Sequence, residues 1–179
     1  MKYASDKARL RPVRAADAKI TVQWRNDPEV RDFALGYRYP VTLAMERKWY
    51  AKALTGDGKD AHFAVEDVVD GRLVGIVSLV QIDLISKNAC FGIVMGDKKR
   101  QGRGIGTAAT RLVVQYGFDM LNLNRIYLFV PAYNARAKSV YRKIGFVREG
   151  ALRRHVFMNG RYHDVEVMGL LAREFKRPA

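Results

Sequence analysis

The chain has little of what holds small proteins together covalently or through metals. Its 179 residues include one cysteine and three histidines. Cys90 has no partner for an internal disulfide, and its apolar neighbours mark a strand residue that is buried rather than nucleophilic. His62, His155 and His163 lack the partner spacing of a ligand set, so no metal site is expected. No apolar run approaches the roughly 20 residues of a membrane span. Met1 to Arg14 alternates charges with small residues and carries no signal-peptide core, which gives the expectation of a cytoplasmic protein with no membrane contact. Repeats, low-complexity tracts and linkers are missing too. Residues 1–179 therefore read as a single α+β domain, long enough to bury a core without staples. Acids are also scarce, with 18 Asp+Glu against 32 Lys+Arg and a net charge of +14. Such a balance favours acidic partners: coenzymes, nucleotides or ribosomal RNA.

What is present is a glycine-rich, cationic loop. An apolar run ending at Met95 leads into Gly96-Asp97-Lys98-Lys99-Arg100-Gln101-Gly102-Arg103-Gly104-Ile105-Gly106-Thr107. A helical pattern follows, with Ile105, Ala109, Leu112, Val113, Tyr116 and Met120 on one face. Strand, glycine loop and helix together make an anion site, because the first helical turn carries unpartnered N–H groups and a partial positive charge. Glycines let a pyrophosphate approach that backbone, and Lys98, Lys99, Arg100 and Arg103 surround it with charge.

Two common tenants are excluded. Gly104-Ile105-Gly106-Thr107-Ala108-Ala109 fits a relaxed dinucleotide fingerprint, but the next strand, Arg125 to Val130, runs into Pro131-Ala132-Tyr133-Asn134 without the acid that would bind a ribose. A triphosphate loop needs Gly-Lys followed by Ser or Thr, whereas Gly58-Lys59 is followed by Asp60.

Around the loop the chain reads in order as follows. Ala8 to Arg14 alternates like an opening strand with Leu10 and Pro12 on one face, and Ala16-Asp17 caps a short helix towards Trp24. Asp27-Pro28 ends it. Arg31 to Pro40 is an aromatic, irregular loop suited either to cover a substrate site or to be pinned to the core by its aromatics. Thr42 caps a helix of about Leu43 to Leu54 that turns Met45, Trp49 and Leu54 inward, and Gly56-Asp57-Gly58 breaks it. Three strands, about 62–67, 72–81 and 89–95, form an antiparallel meander whose first turn is marked by Asp70-Gly71. After the loop and its helix come the strand from Arg125, a helix from Asn134 to Ile144 closed by Gly145, and two strands joined at Asn159-Gly160.

These residues resemble the GNAT superfamily of acyl-CoA-dependent N-acetyltransferases over nearly the whole chain. Gln101-Gly102-Arg103-Gly104-Ile105-Gly106 is similar to the family's Gln/Arg-x-x-Gly-x-Gly/Ala motif, and the segment from Asn134 through Ser139, Tyr141 and Lys143 to Phe146 is similar to its second signature. Trp24-Arg25-Asn26-Asp27-Pro28 and Asn159-Gly160-Arg161-Tyr162-His163-Asp164 resemble the branch of ribosomal-protein N-terminal (alanine), polyamine and amino-sugar acetyltransferases. The resemblance implies a mixed, mostly antiparallel central sheet flanked by helices, with acetyl-CoA as donor.

It also implies the site. Arg100, Gln101, Gly102, Arg103, Gly104, Ile105, Gly106 and Thr107 would bind the pyrophosphate, and Ile93, Val94 and Met95 the pantetheine arm and the thioester carbonyl. Asn134, Ser139 and Lys143 would complete the cofactor site, and Tyr141 would protonate the departing thiolate. Many relatives carry a glutamate on the strand before the loop; this chain has Cys90-Phe91-Gly92-Ile93 there. Asp83, Glu29, Glu149, His155 and His163 stay open as the base.

The favoured acceptor at this level is the N-terminal amine of a ribosomal protein, reached by direct attack in a ternary complex, because a positive surface steers towards RNA. Small amines remain as alternatives: a nucleotide-linked amino sugar, an amino acid or a polyamine, the last repelled by the charge unless a local acidic pocket overrides it. A non-catalytic acyl-CoA sensor and an RNA-binding protein are the readings from another class, and a homodimer is compatible with all of them.

Overall fold

The computed structural model describes residues 3–36, 38–56 and 58–177; Tyr37 of the aromatic loop and Asp57 of the helix breaker lie outside them. Seven strands form one sheet: β1 (Ala8–Pro12), β2 (Ala61–Asp67), β3 (Leu73–Asp83), β4 (Asn88–Met95), β5 (Arg125–Pro131), β6 (Val147–Met158) and β7 (Arg161–Leu171). Their order is β1-β2-β3-β4-β5-β7-β6. Each neighbouring pair is antiparallel except β4 and β5, which run parallel. The helices are α1 (Ala18–Asn26), α2 (Pro28–Arg31), α3 (Leu43–Thr55), α4 (Ile105–Asp119) and α5 (Ala135–Ile144). The expected mixed, mostly antiparallel α+β fold is what forms.

Local chemistry sets the element ends. Thr42 Oγ1 accepts from Met45 N–H at 3.2 Å, and Asn134 Oδ1 accepts from Ala137 N–H at 3.1 Å, capping α3 and α5 as read from sequence. Gly145, at φ +118°, closes α5 in the left-handed region that its lack of a Cβ permits. Asp27 ends α1 and then caps the single turn α2, accepting from Glu29 N–H at 2.9 Å with Pro28 in the first helical turn.

Alternation along β2 divides the interior into two clusters. Phe63 and Val65 join the main core with α4, α5 and most of the strands, while Ala64 joins Trp24, Tyr50 and Leu73 beneath α1 and α3. Four inward assignments from the pattern are corrected. Met45 and Leu54 are exposed, and α3 instead buries Glu46 and Tyr50, because Glu46 is held by Arg25 at 2.6 Å and by the Thr21 hydroxyl at 2.7 Å from α1. Met120 lies just past the end of α4 and is exposed. In β1 the buried face is Ala8 and Leu10, with Pro12 at the exposed strand end. No helix among the described residues is long and apolar enough to cross a membrane.

Candidate active site

The sheet opens where its direction changes. β4 and β5 share three rungs, Asn88 with Arg125, Ala89 with Ile126 and Cys90 with Tyr127. Among the described residues no rung follows, although β4 continues to Met95 and β5 to Pro131. From Phe91 onward β4 therefore keeps β3 on one edge and offers its other edge to the gap. An unpaired edge of N–H and C=O groups is a template for an extended, amide-bearing ligand.

At the end of β4 the chain turns into the glycine loop. Gly96 N–H and Asp97 N–H both donate to Val74 O, at 3.0 and 3.3 Å, and Asp97 Oδ1 accepts from Lys99 N–H at 3.0 Å. Gly102 and Gly104 have φ of +85° and +84°, a conformation that side chains resist. Gly104 is the N-cap of α4 and brings no capping side chain, and the first helical bond runs from Ala108 N–H to Gly104 O at 3.0 Å. The amides of Ile105, Gly106 and Thr107 stand ahead of that bond as donors for an anion. Gln101 braces the turn, donating to Met95 O at 3.3 Å and accepting from Arg136 at 2.8 Å.

A cavity of about 660 Å³ runs along this gap. Ile93, Val94, Met95, Arg100, Gln101, Gly102, Gly104, Ile105, Gly106, Thr107, Asn134, Tyr141 and Lys143 all line it. Arg103 and Ser139 are exposed and stand outside the lining. The loop's cations divide in a way the sequence did not reveal. The Lys98 ammonium reaches Asp27 and Glu29, and the Arg100 guanidinium bonds Asp67 and, at 2.5 Å, Asp70, so both charges turn towards protein acids, leaving Lys99 and Arg103 exposed on the loop. Asn134 is shared as well: its Oδ1 caps α5, and its Nδ2 donates to Phe33 O at 3.3 Å. Tyr141 is 8% exposed, edge-on to Phe91 and Phe146, and burial pushes its phenol up to about 12. It is a neutral hydroxyl on the cavity wall, able to give a proton. Burial pushes the half-buried Cys90 thiol up to about 11, which disfavours its thiolate.

A second cavity of about 380 Å³ adjoins the first, and Glu29, Phe33 and Tyr133 line both. Pro28, Asp32, Met158, Asn159, Arg161 and His163 complete its wall. The Tyr133 hydroxyl donates to Asp32 O at 2.5 Å and Asn159 Nδ2 to Asp32 Oδ2 at 3.2 Å, tying the aromatic loop to the β5–α5 connection and to the β6–β7 turn. The sequence marked this loop as a cover but did not single out Phe33, Asp32 or Tyr133. Of the base candidates, Glu29 and His163 reach this region. Asp83 caps a turn through Ile85 and Ser86, Glu149 pairs with Arg125, and His155 is exposed on β6.

Known proteins agree with this geometry. A model of the acetyltransferase (GNAT) domain matches residues 7–147. The spermidine N(1)-acetyltransferase of Escherichia coli K12 is 32% identical over 167 residues, covering 93% of this chain and 87% of that protein. A putative ribosomal N-acetyltransferase of Bacillus subtilis, YdaF, is 36% identical over 107 residues, 60% of this chain and 58% of that one. Among solved structures, the spermidine N-acetyltransferase of Vibrio cholerae in complex with CoA and spermine superposes with a TM-score of 0.87 at 30% identity, covering 95% of this chain and 98% of that one. The same Vibrio enzyme is also described as a dodecamer. The split sheet, the glycine cradle and these likenesses lead to one conclusion: the chain belongs to the GNAT acetyltransferase family and is an acetyl-CoA-dependent N-acetyltransferase.

Proposed function

We propose that the acceptor is a polyamine, acetylated on a primary amine by direct attack in a ternary complex. The observation that carries this reading is the second cavity. Glu29 and Asp32 bring carboxylates to its wall, and Phe33 and Tyr133 bring rings. Carboxylates hold ammonium groups, and rings hold both methylenes and cations, which is what a slender polycation requires. The lining also includes Arg161, and Glu29 and Asp32 already pair with Lys98 and Arg31, so an incoming polyamine competes with these protein cations for the two carboxylates. The spermidine acetyltransferases among the relatives support the same reading. The ribosomal acceptor favoured by charge alone thus becomes the second reading, kept by the net charge and by the likeness to YdaF.

In this proposal the bound coenzyme supplies the acetyl group as a thioester. Ile93, Val94 and Met95 on the exposed edge of β4 would hold the acyl end, and a backbone N–H there would stabilise the charge that develops on the carbonyl oxygen. Glu29, Phe33 and Tyr133 hold the amine where the two cavities meet. As the C–N bond forms and the C–S bond breaks, Tyr141 would give its proton to the leaving sulfur, and the proton lost by the attacking amine would pass through solvent and restore the phenol.

The test is thiol release from acetyl-CoA with spermidine, spermine, ribosomal-protein N-terminal peptides, amino acids and a nucleotide-linked amino sugar. Turnover confined to the polyamines supports the reading. Turnover on a peptide with silence on polyamines transfers it to the ribosomal acceptor.

A further inference from the structure

The pyrophosphate loop meets α2 through Lys98. Its Nζ lies 2.8 Å from Glu29 Oε2 and 2.9 Å from Asp27 Oδ2. Asp27 is itself the cap of α2, so one ammonium grips both the cap and the first acid of a helix four residues long. A single turn has almost no stability of its own and takes its order from what it is tied to. Lys98 lines neither cavity, whereas Glu29 lines both. On its other flank the loop is tied by Arg100 to Asp67 and Asp70 around the β2–β3 turn. The segment leading into the glycine loop is thus anchored on two sides, and one anchor carries Glu29, which lines both cavities.

We propose that Lys98 is a positioning residue that fixes Glu29 between the two cavities and couples the order of α2 to occupation of the pyrophosphate loop, so that cofactor and amine bind cooperatively. An anion held by the backbone of residues 102–107 stiffens the loop, the stiffened loop holds Lys98, and Lys98 holds α2. Coupling of this kind is reciprocal: whatever cofactor does for amine affinity, amine does for cofactor affinity. The pair is solvent-exposed, with 45% of the Lys98 side chain accessible, so the coupling is modest, about three- to fivefold in affinity.

Hydrogen exchange tests this without reference to the acceptor. Adding CoA to the wild-type protein should slow exchange both at residues 102–107 and at residues 28–34. In Lys98→Met the first protection should remain and the second should disappear, and Lys98→Arg should restore it. Three results overturn the proposal: no response of α2 to CoA in the wild type, α2 protection that survives in Lys98→Met, or an equal loss at both segments. A calorimetric arm rests on the polyamine reading. Spermidine should bind the CoA-loaded wild type about three- to fivefold more tightly than the free protein, and equally in the two states of Lys98→Met. Persistence of that ratio in Lys98→Met also overturns the proposal. A wild type that binds no spermidine counts against the polyamine acceptor alone, and the exchange result still decides the role of Lys98.

Discussion

The indole of Trp24 occupies the space that a side chain on Gly96 would need: a Cβ there would run into ring atoms Cγ, Cδ2 and Cε2. Trp24 comes from α1 and Gly96 opens the cofactor loop, so glycine at this position lets the loop lie flat on the helix. Gly96→Ala should cost about 2 kcal/mol of stability through overpacking and should raise KM for acetyl-CoA as the loop shifts. Gly150→Ala, where a Cβ meets nothing within 4 Å, should leave both unchanged. Chemical denaturation and initial rates on the two variants decide it.

Tyr141→Phe removes the hydroxyl and keeps the ring contacts with Phe91 and Phe146. Turnover should fall by about 10²-fold, while CoA affinity stays within about twofold. Because burial holds the phenol at about 12, it remains protonated across the working range. The pH profile of kcat in the variant should keep its wild-type shape and lie lower. Unchanged kcat would remove Tyr141 from the chemistry.

Glu46 is 1% exposed, pairs with Arg25 and accepts from the Thr21 hydroxyl, both on α1. Glu46→Ala strands the Arg25 charge beneath Trp49 and should cost about 3 kcal/mol. For a chain of this size that lowers Tm by roughly 6–12 °C. Below the transition, kcat should be unaffected, since Glu46 lies outside both cavities.

Acid should unfold the protein partly through Glu66. Burial alone would raise its pKa, but Arg11 at 2.6 Å and Arg9 at 2.7 Å on the carboxylate outweigh it and hold the group below its ordinary value. A depressed folded pKa gives stability that is present above the unfolded value, near 4.5, and lost as pH falls through the folded one. In Glu66→Gln, Tm at pH 7 should be lower, and the further drop as pH falls below the unfolded value towards the depressed folded one should be smaller than in the wild type.

Local signals were readable and remote partners were not. The caps Thr42 and Asn134, the closing Gly145 and the Asn159-Gly160 turn announce themselves because each acts on backbone within four residues. The glycine loop is legible for the same reason. The inward face of α3 was misread because an acid normally faces water, and the arginine that brings Glu46 inside lies on another helix. Lys98 and Arg100 look like phosphate ligands in sequence, but acids more than 25 residues away hold them. Phe33, Asp32 and Tyr133 converge through a contact between residues 101 positions apart, which no motif spells out.

The three-rung seam between β4 and β5 has a further result. It joins an antiparallel half, β1 to β4, to another, β5 with β7 and β6, across very little hydrogen bonding. In the binding mode proposed above, the coenzyme lies in that gap and takes over part of the work of the missing rungs, mortar as well as reagent. At a hundredfold excess over Kd, such a ligand adds about 2.7 kcal/mol to the folded state. In that binding mode, withdrawing the coenzyme should therefore lower the melting temperature, and the loss should fall along the seam between β4 and β5.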